Sequence, residues 1–248
     1  MAYMPTAIVT GASAGLGHAL AVALAGRGWT LVIDARRPGP LREAAAVIKA
    51  ATAGTAAADG TTGTRVTAIA GDIADPEHRA ALVAAAREHG GLDLVVNNAS
   101  VLGPSPLPPL AEFPVDELTE LFRINVFAPL ALIQLALPLL AATGGTVVNV
   151  SSDAAVEPYE GWGGYGSSKA ALDQLTAVLG AEQGGAVRVY AFDPGDMRTD
   201  LHQLAFPGED ISDRPEPETV VPALLRLVDE RPAGGRYRAS DLAAAVPS

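Results

Sequence analysis

The chain contains no cysteine. Disulfide staples, thiol nucleophiles and cysteine-ligated metals are therefore excluded. Its four histidines (His18, His78, His89, His202) show no ligand spacing, so no metal is expected. Aromatic residues make up 5% and charged residues 18%, yet 49% of the chain is hydrophobic, enough for a sizeable core. The longest apolar run, residues 126–142, is interrupted by Pro129, Gln134 and Pro138 and reads as a buried helix, not a membrane span. No basic region precedes the first apolar strand, so no signal peptide is expected. A formal net charge of -11 disfavours nucleic acid and anionic membrane as partners. It still permits an anionic cofactor held by backbone amides and a few arginines. Together these absences fit a cytoplasmic protein. At 248 residues, one α/β domain over 1–248 is expected.

Lysine is nearly missing too. Lys49 and Lys169 stand against fifteen arginines. Lys169 lies four residues after Tyr165, in a stretch (Gly-Trp-Gly-Gly-Tyr-Gly-Ser-Ser-Lys) running from a glycine-rich loop into a helix. At that spacing the two side chains share a helix face. A tyrosine normally ionises near pH ~10, and a neighbouring ammonium would stabilise the phenolate and make the hydroxyl a usable acid or base. Lysine supplies a compact, rotatable point charge that arginine's rigid fork does not replace.

The order of elements says where such a pair would work. An apolar strand over 7–9 ends in Thr10-Gly11-Ala12-Ser13-Ala14-Gly15-Leu16-Gly17, and an Ala/Leu-rich helix follows to about residue 27. Gly11 can take the positive φ that leaves the strand sharply. Gly15 lets backbone approach a pyrophosphate at the helix N-terminus, and Gly17 allows close helix–strand packing. A second strand over 30–33 ends in Asp34-Ala35-Arg36-Arg37, where dinucleotide folds read the adenosine ribose. Asp34 could accept from a free 2′-hydroxyl, whereas Arg36 and Arg37 could clamp a 2′-phosphate. Pro38-Gly39-Pro40 is expected to break the chain before a helix over 41–51, and residues 52–64 read as a peripheral loop.

Further strands are expected over 65–70, 92–96, 146–150, 187–191 and 235–238. Between them lie helices over 76–89, with Asp75 as N-cap, and 114–142, with a bend at Pro129, and the helix that carries Lys169 to about 182. Repeated strand–helix alternation predicts a doubly wound parallel sheet with helices on both faces, the Rossmann arrangement, whose crevice lies at the strands' carboxyl ends.

Taken together, these motifs resemble the short-chain dehydrogenase/reductase family over nearly the whole chain. Thr10-Gly-Ala-Ser-Ala-Gly-Leu-Gly17 is similar to its cofactor motif. Asn97-Asn98-Ala99 is similar to its Asn-Asn-Ala-Gly element, with Ser100 in place of glycine. Asn125, Ser152, Tyr165 and Lys169 fall in the order of its catalytic tetrad, with Ser152 thirteen residues before Tyr165. Pro194-Gly195 with Thr199 matches a further element. The resemblance implies an NAD(P)-dependent oxidoreductase, a ketoreductase or alcohol dehydrogenase. Tyr165 would exchange a proton with a carbonyl or alcohol oxygen, Lys169 would lower its pKa and hold the nicotinamide ribose, Ser152 would hold the reacting oxygen, and Asn125 would support a water chain. Gly11, Ser13, Gly15, Leu16 and Gly17 would cradle the cofactor. Asp72 and Ile73 would meet the adenine, and Asn98, Ala99, Pro194, Gly195, Met197 and Thr199 would line the nicotinamide half.

Counting from Gly28 puts Ala35 where NAD-preferring members carry an acid, and Arg36 where a 2′-phosphate is gripped. NADP(H) is therefore expected, with NAD(H) as the alternative that Asp34 favours. Residues 200–217 read as a substrate lid, and Tyr159, Trp162, Met197 and Phe206 suit a cyclic or aromatic ketone, with His202 either a polar contact or merely exposed. A homodimer or homotetramer is expected, through helices around Asn125 and Tyr165. A dehydratase or epimerase using the same pair, and a non-catalytic NADP-binding regulator, are the competing readings.

Overall fold

The computed structural model describes residues 3–51 and 65–244; the 52–64 loop of the sequence reading lies outside them. Strands β1 (Thr6–Val9), β2 (Thr30–Ala35), β3 (Val66–Ala70), β4 (Leu94–Asn97), β5 (Thr146–Val150), β6 (Arg188–Asp193) and β7 (Gly235–Arg238) form one sheet in the order β3-β2-β1-β4-β5-β6-β7. Register is parallel in the pairs of β1 with β2 and β4, of β2 with β3, and of β6 with β7. β1 and β2 are buried along their whole length, whereas edge strands β3 and β7 are half-exposed. That contrast explains why the central strands read as continuous apolar runs. The expected doubly wound α/β fold is what the chain adopts.

Flanking helices are α1 (Gly15–Gly26), α2 (Pro38–Ala51), α3 (Pro76–Glu88), α4 (Val115–Phe122), α5 (Ala128–Thr143), α6 (Gly163–Gln183), α7 (Asp200–Ala205), α8 (Val221–Glu230) and α9 (Ala239–Ala244). Two compact units hold these elements: residues 1–99 with 131–147, and residues 100–130 with 148–248. α1 buries Leu16, Leu20 and Leu24, one residue per turn.

Two departures from the sequence-based expectations have physical causes. α2 begins at Pro38 rather than after the prolines, because first-turn N–H groups have no intrahelical partner and a ring there costs nothing. The expected bend at Pro129 is a π-helical turn, Arg123–Phe127, inserted between α4 and α5, which leaves Pro129 in the first turn of α5. Such turns recur at functional sites, and this one contains Asn125. The helical stretch Val115–Thr143, with mean hydropathy 2.0 in its most apolar window, is long and apolar enough to cross a membrane by length and composition. Its Leu121, Ile124, Leu132, Ile133 and Leu140 are nevertheless packed inside the protein.

α3 has the N-terminus its sequence announces. The Asp75 side chain accepts from Glu77 N at 3.0 Å and Pro76 opens the helix. Asp75→Ala should lower unfolding free energy by about 1 kcal/mol, read from urea denaturation; an unchanged midpoint would assign the helix start to Pro76 alone.

Candidate active site

The first unit carries a turn shaped for an anion. Gly11 and Gly15 adopt φ of +66° and +57°, values that L side chains rarely reach. A Cβ at Gly11 would lie 2.9 Å from Ala99 Cα, and one at Gly17 would lie 2.4 Å from Asn98 Nδ2. Gly17 thus makes room for the Asn98 amide, a more specific reason than helix–strand packing. That amide donates to Thr10 O (2.9 Å) and Gly11 O (3.2 Å), and the Thr10 hydroxyl oxygen accepts from Asn98 N and Ala99 N, both at 3.0 Å. Two motifs distant in sequence are therefore knitted into one backbone surface. α1 has no side-chain cap and no acid in its first turn, so its N-terminal amides and dipole meet an anion without competition. Ser13 is half-buried, and the Leu16 side chain is in the core, leaving its backbone for any ligand.

At the end of β2, Asp34 is 2% exposed. One carboxylate oxygen accepts from Gly11 N at 2.8 Å and the other lies 3.0 Å from His78 Nε2. Each oxygen of Asp34 thus has a partner inside the protein. Arg36 and Arg37 are exposed. Asp72 accepts from Ala74 N at 2.9 Å and so shapes its own turn. Ile73 is buried, and its carbonyl accepts from Arg79 Nη1 at 2.7 Å. No metal-binding cluster of His, Cys, Asp or Glu occurs among the described residues.

The second unit holds the four residues expected to carry the proton chemistry. Asn125 is 1% exposed, and its oxygen accepts from Val101 N (2.9 Å) and Ser100 Oγ (3.1 Å). Its amide nitrogen donates to Val101 O (2.9 Å) and Ser168 Oγ (3.1 Å). These four bonds use the whole hydrogen-bonding capacity of the side chain. Any water chain at Asn125 would have to start from its backbone. Ser152 caps a short 3-10 turn, Asp153–Ala155, accepting from Ala154 N (3.2 Å) and donating to Asp153 (3.0 Å).

Tyr165 stands in the first turn of α6. A Cβ at Gly166 would lie 2.5 Å from Ala154 O, so glycine there lets α6 approach the turn that Ser152 caps. Leu102 and Ala154 bury the tyrosine together with Trp162, whose ring is 5.8 Å from it, and Leu201 and Ala205 of α7. Phe206 extends the cluster, 6.2 Å from Trp162 and 5.0 Å from His202. His202 is buried rather than exposed. Thr199, expected to face a carboxamide, also caps α7 by accepting from His202 N at 3.1 Å. Pro194 and Met197 are half-buried, and Gly195, at φ +72°, donates its N–H to Asp193 at 3.0 Å.

Burial sets the electrostatics. It pushes the Tyr165 hydroxyl well above its usual range; the Ser100 hydroxyl opposes this, and Asp153 and Asp193 add to it. Burial also lowers Lys169 to about 8, against the pull of Asp173. The ammonium donates to Val150 O at 2.8 Å and sits 5.4 Å from the Tyr165 ring centroid. The expected acidification of the phenol by Lys169 is thus outweighed among the protein's own groups: the cation lies over the ring and bonds to backbone. Tyr165 is kept as the neutral phenol, which is the proton-donating form.

Two polar residues here escaped the sequence reading. Ser100 links Asn125 to Tyr165; its replacement of the family's glycine was the available signal. Arg236 of β7 donates to Ser152 O (2.9 Å), Asp193 (2.8 Å) and Asp173 (3.0 Å). Nothing in the pattern of its strand announced that.

With this geometry, the comparisons with known proteins agree on a class. The family model for short chain dehydrogenase matches residues 5–210, and the chain belongs to that family. A benzil reductase ((S)-benzoin forming) of Saccharomyces cerevisiae is 36% identical over 160 residues, 62% of this chain and 59% of that protein. Sepiapterin reductase of Xenopus laevis is 36% identical over 208 residues, 80% of this chain and 75% of that protein. A short-chain dehydrogenase from Shigella flexneri, solved in complex with NADP, superposes with a TM-score of 0.84 at 29% identity, covering 95% of this chain and 97% of that one. The chain spans little more than half the length of the curated relatives it matches first.

The Lys169 environment predicts a pH dependence of stability. Its folded pKa of about 8 lies below the ordinary 10.5. From pH 8 upward the folded state releases a proton that the unfolded state keeps, so stability rises with pH. The window is read below about pH 10, where the raised Tyr165 begins to act in the opposite sense. Between these limits the wild type should gain stability relative to Lys169→Met in urea denaturation. Parallel curves would show that the ammonium is not desolvated.

Proposed function

We propose that this protein is an NADP(H)-dependent carbonyl reductase, in which Tyr165 gives a proton to a ketone oxygen. The observation that carries this reading is the buried Tyr165, held neutral beside a buried ammonium and covered by α7. A bound nicotinamide would supply the hydride to the carbonyl carbon. Tyr165 completes the alcohol by transferring its hydroxyl proton to the carbonyl oxygen. Lys169 then faces a phenolate, and its charge stabilises that state more than the neutral one. This is differential stabilisation, favouring reduction once charge develops.

The turn over residues 10–17 fits a pyrophosphate because the α1 N-terminus it leads into has no side-chain cap and no acid in its first turn. Arg36 and Arg37 would take the 2′-phosphate, Asp72 and Ile73 the adenine, and Asn98, Ala99, Pro194, Gly195, Met197 and Thr199 the nicotinamide half. The buried state of Asp34 supports NADP(H) over NAD(H), as does the NADP-bound relative. Trp162 and Phe206 beside Tyr165 support an aromatic or cyclic ketone, in keeping with relatives named as benzil and sepiapterin reductases. Residues 200–217 act as the lid within a single catalytic domain. Exposed Phe127 and Val178 suit self-association, and the acidic charge suits a cytoplasmic location.

The test is a panel of ketones assayed at 340 nm with both cofactors. Tyr165→Phe should retain NADPH binding and lose at least about a hundredfold in kcat. Arg36→Ala should raise KM for NADPH about tenfold and leave KM for NADH nearly unchanged. Undiminished turnover in Tyr165→Phe overturns the mechanism.

A further inference from the structure

His78 takes no part in the chemistry above, yet it is 7% exposed and its ring is built into the end of the nucleotide turn. A Cβ at Gly71 would lie 2.2 Å from His78 Nδ1, so the imidazole fills the space that a side chain at position 71 would need. Its other nitrogen, Nε2, is 3.0 Å from one oxygen of Asp34. The second oxygen of Asp34 accepts from Gly11 N at 2.8 Å. Histidine, carboxylate and the first glycine amide of the turn form one buried chain.

A buried carboxylate persists only where partners replace its lost water. His78 is the side chain that satisfies Asp34 from the α3 side, and through Asp34 it bears on Gly11. The position gives this brace a second consequence. Asp34 is the penultimate residue of β2, the strand at whose end an acid normally accepts from a ribose 2′-hydroxyl, and at which a free carboxylate repels a 2′-phosphate. Here the charge is turned inward, while Arg36 and Arg37 two and three residues on are exposed.

We infer that His78 is a positioning residue for cofactor choice: by holding Asp34 inside the protein it keeps a carboxylate from the 2′-phosphate position and leaves that position to the arginines. The inference rests on the NADP(H) reading above. It differs from a purely structural brace in one respect. A brace that merely stiffens the Gly11 turn serves both cofactors equally, because both carry the same pyrophosphate. A brace that withdraws charge from the ribose serves NADPH alone.

The test uses the full-length protein and dissociation constants for NADPH and NADH from nucleotide fluorescence titration, with circular dichroism to confirm folding. His78→Leu should lower the NADPH:NADH affinity ratio by about tenfold or more. His78→Gln, whose amide keeps an N–H donor, should hold the ratio within about threefold of wild type. Asp34→Asn combined with His78→Leu should restore it, since no charge is left to release. If His78→Leu does not fold, His78→Asn takes its place, because the shorter amide stays polar but falls short of Asp34. Equal weakening of both cofactors, or an unchanged ratio, overturns the inference. A wild type that binds NADH more tightly would overturn the cofactor reading instead, and the change in ratio between the Leu and Gln variants would still decide the role of His78.

Discussion

Burying an ammonium is the constraint on which the second unit depends. Lys169 is 2% exposed, and taking its charge out of water is costly unless each donor finds a partner. The structure meets that cost with the Val150 carbonyl, the face of the Tyr165 ring and the field of Asp173. Asp173 is in turn held by Arg236, which also binds Ser152 O and Asp193. One desolvated cation thus connects α6, β5, β6 and β7. Desolvation likewise keeps Tyr165 protonated.

The nucleotide turn obeys a different constraint, that of close approach. Where two stretches of backbone come within reach of each other's carbonyl and amide groups, a Cβ is a collision. Gly11 and Gly17 are glycines because Ala99 and Asn98 occupy the space. This is why the turn was legible in the sequence. Steric exclusion leaves a residue-type signature, and an apolar strand before it and an apolar helix after it supply the context. The strand–helix alternation, the seven-stranded arrangement and the Tyr165–Lys169 spacing were legible for a related reason, since periodicity and local offsets are properties of the chain itself.

Element boundaries are less legible in the sequence, because local geometry decides them. The prolines of α2 look like breakers in sequence and serve as a first turn in three dimensions. The π-turn at 123–127 leaves no mark in hydrophobic pattern, because inserting one residue in a helix shifts the face without changing the composition.

What the sequence determined by itself was the class of fold, the place of the glycine turn and the four-residue spacing of Tyr165 and Lys169, all written in short-range pattern. What only the tertiary structure decided was how the polar groups are shared out. Asp34 turned inward to His78, Asn125 spent its amide on Val101, Ser100 and Ser168, and Lys169 lay over a ring rather than beside its hydroxyl. The outcomes at Asp34 and Asn125 depend on which partner, tens of residues away, reaches a buried group first. Hydrogen bonds are short-ranged in space and indifferent to distance along the chain, so their pairing becomes readable only once the chain has folded.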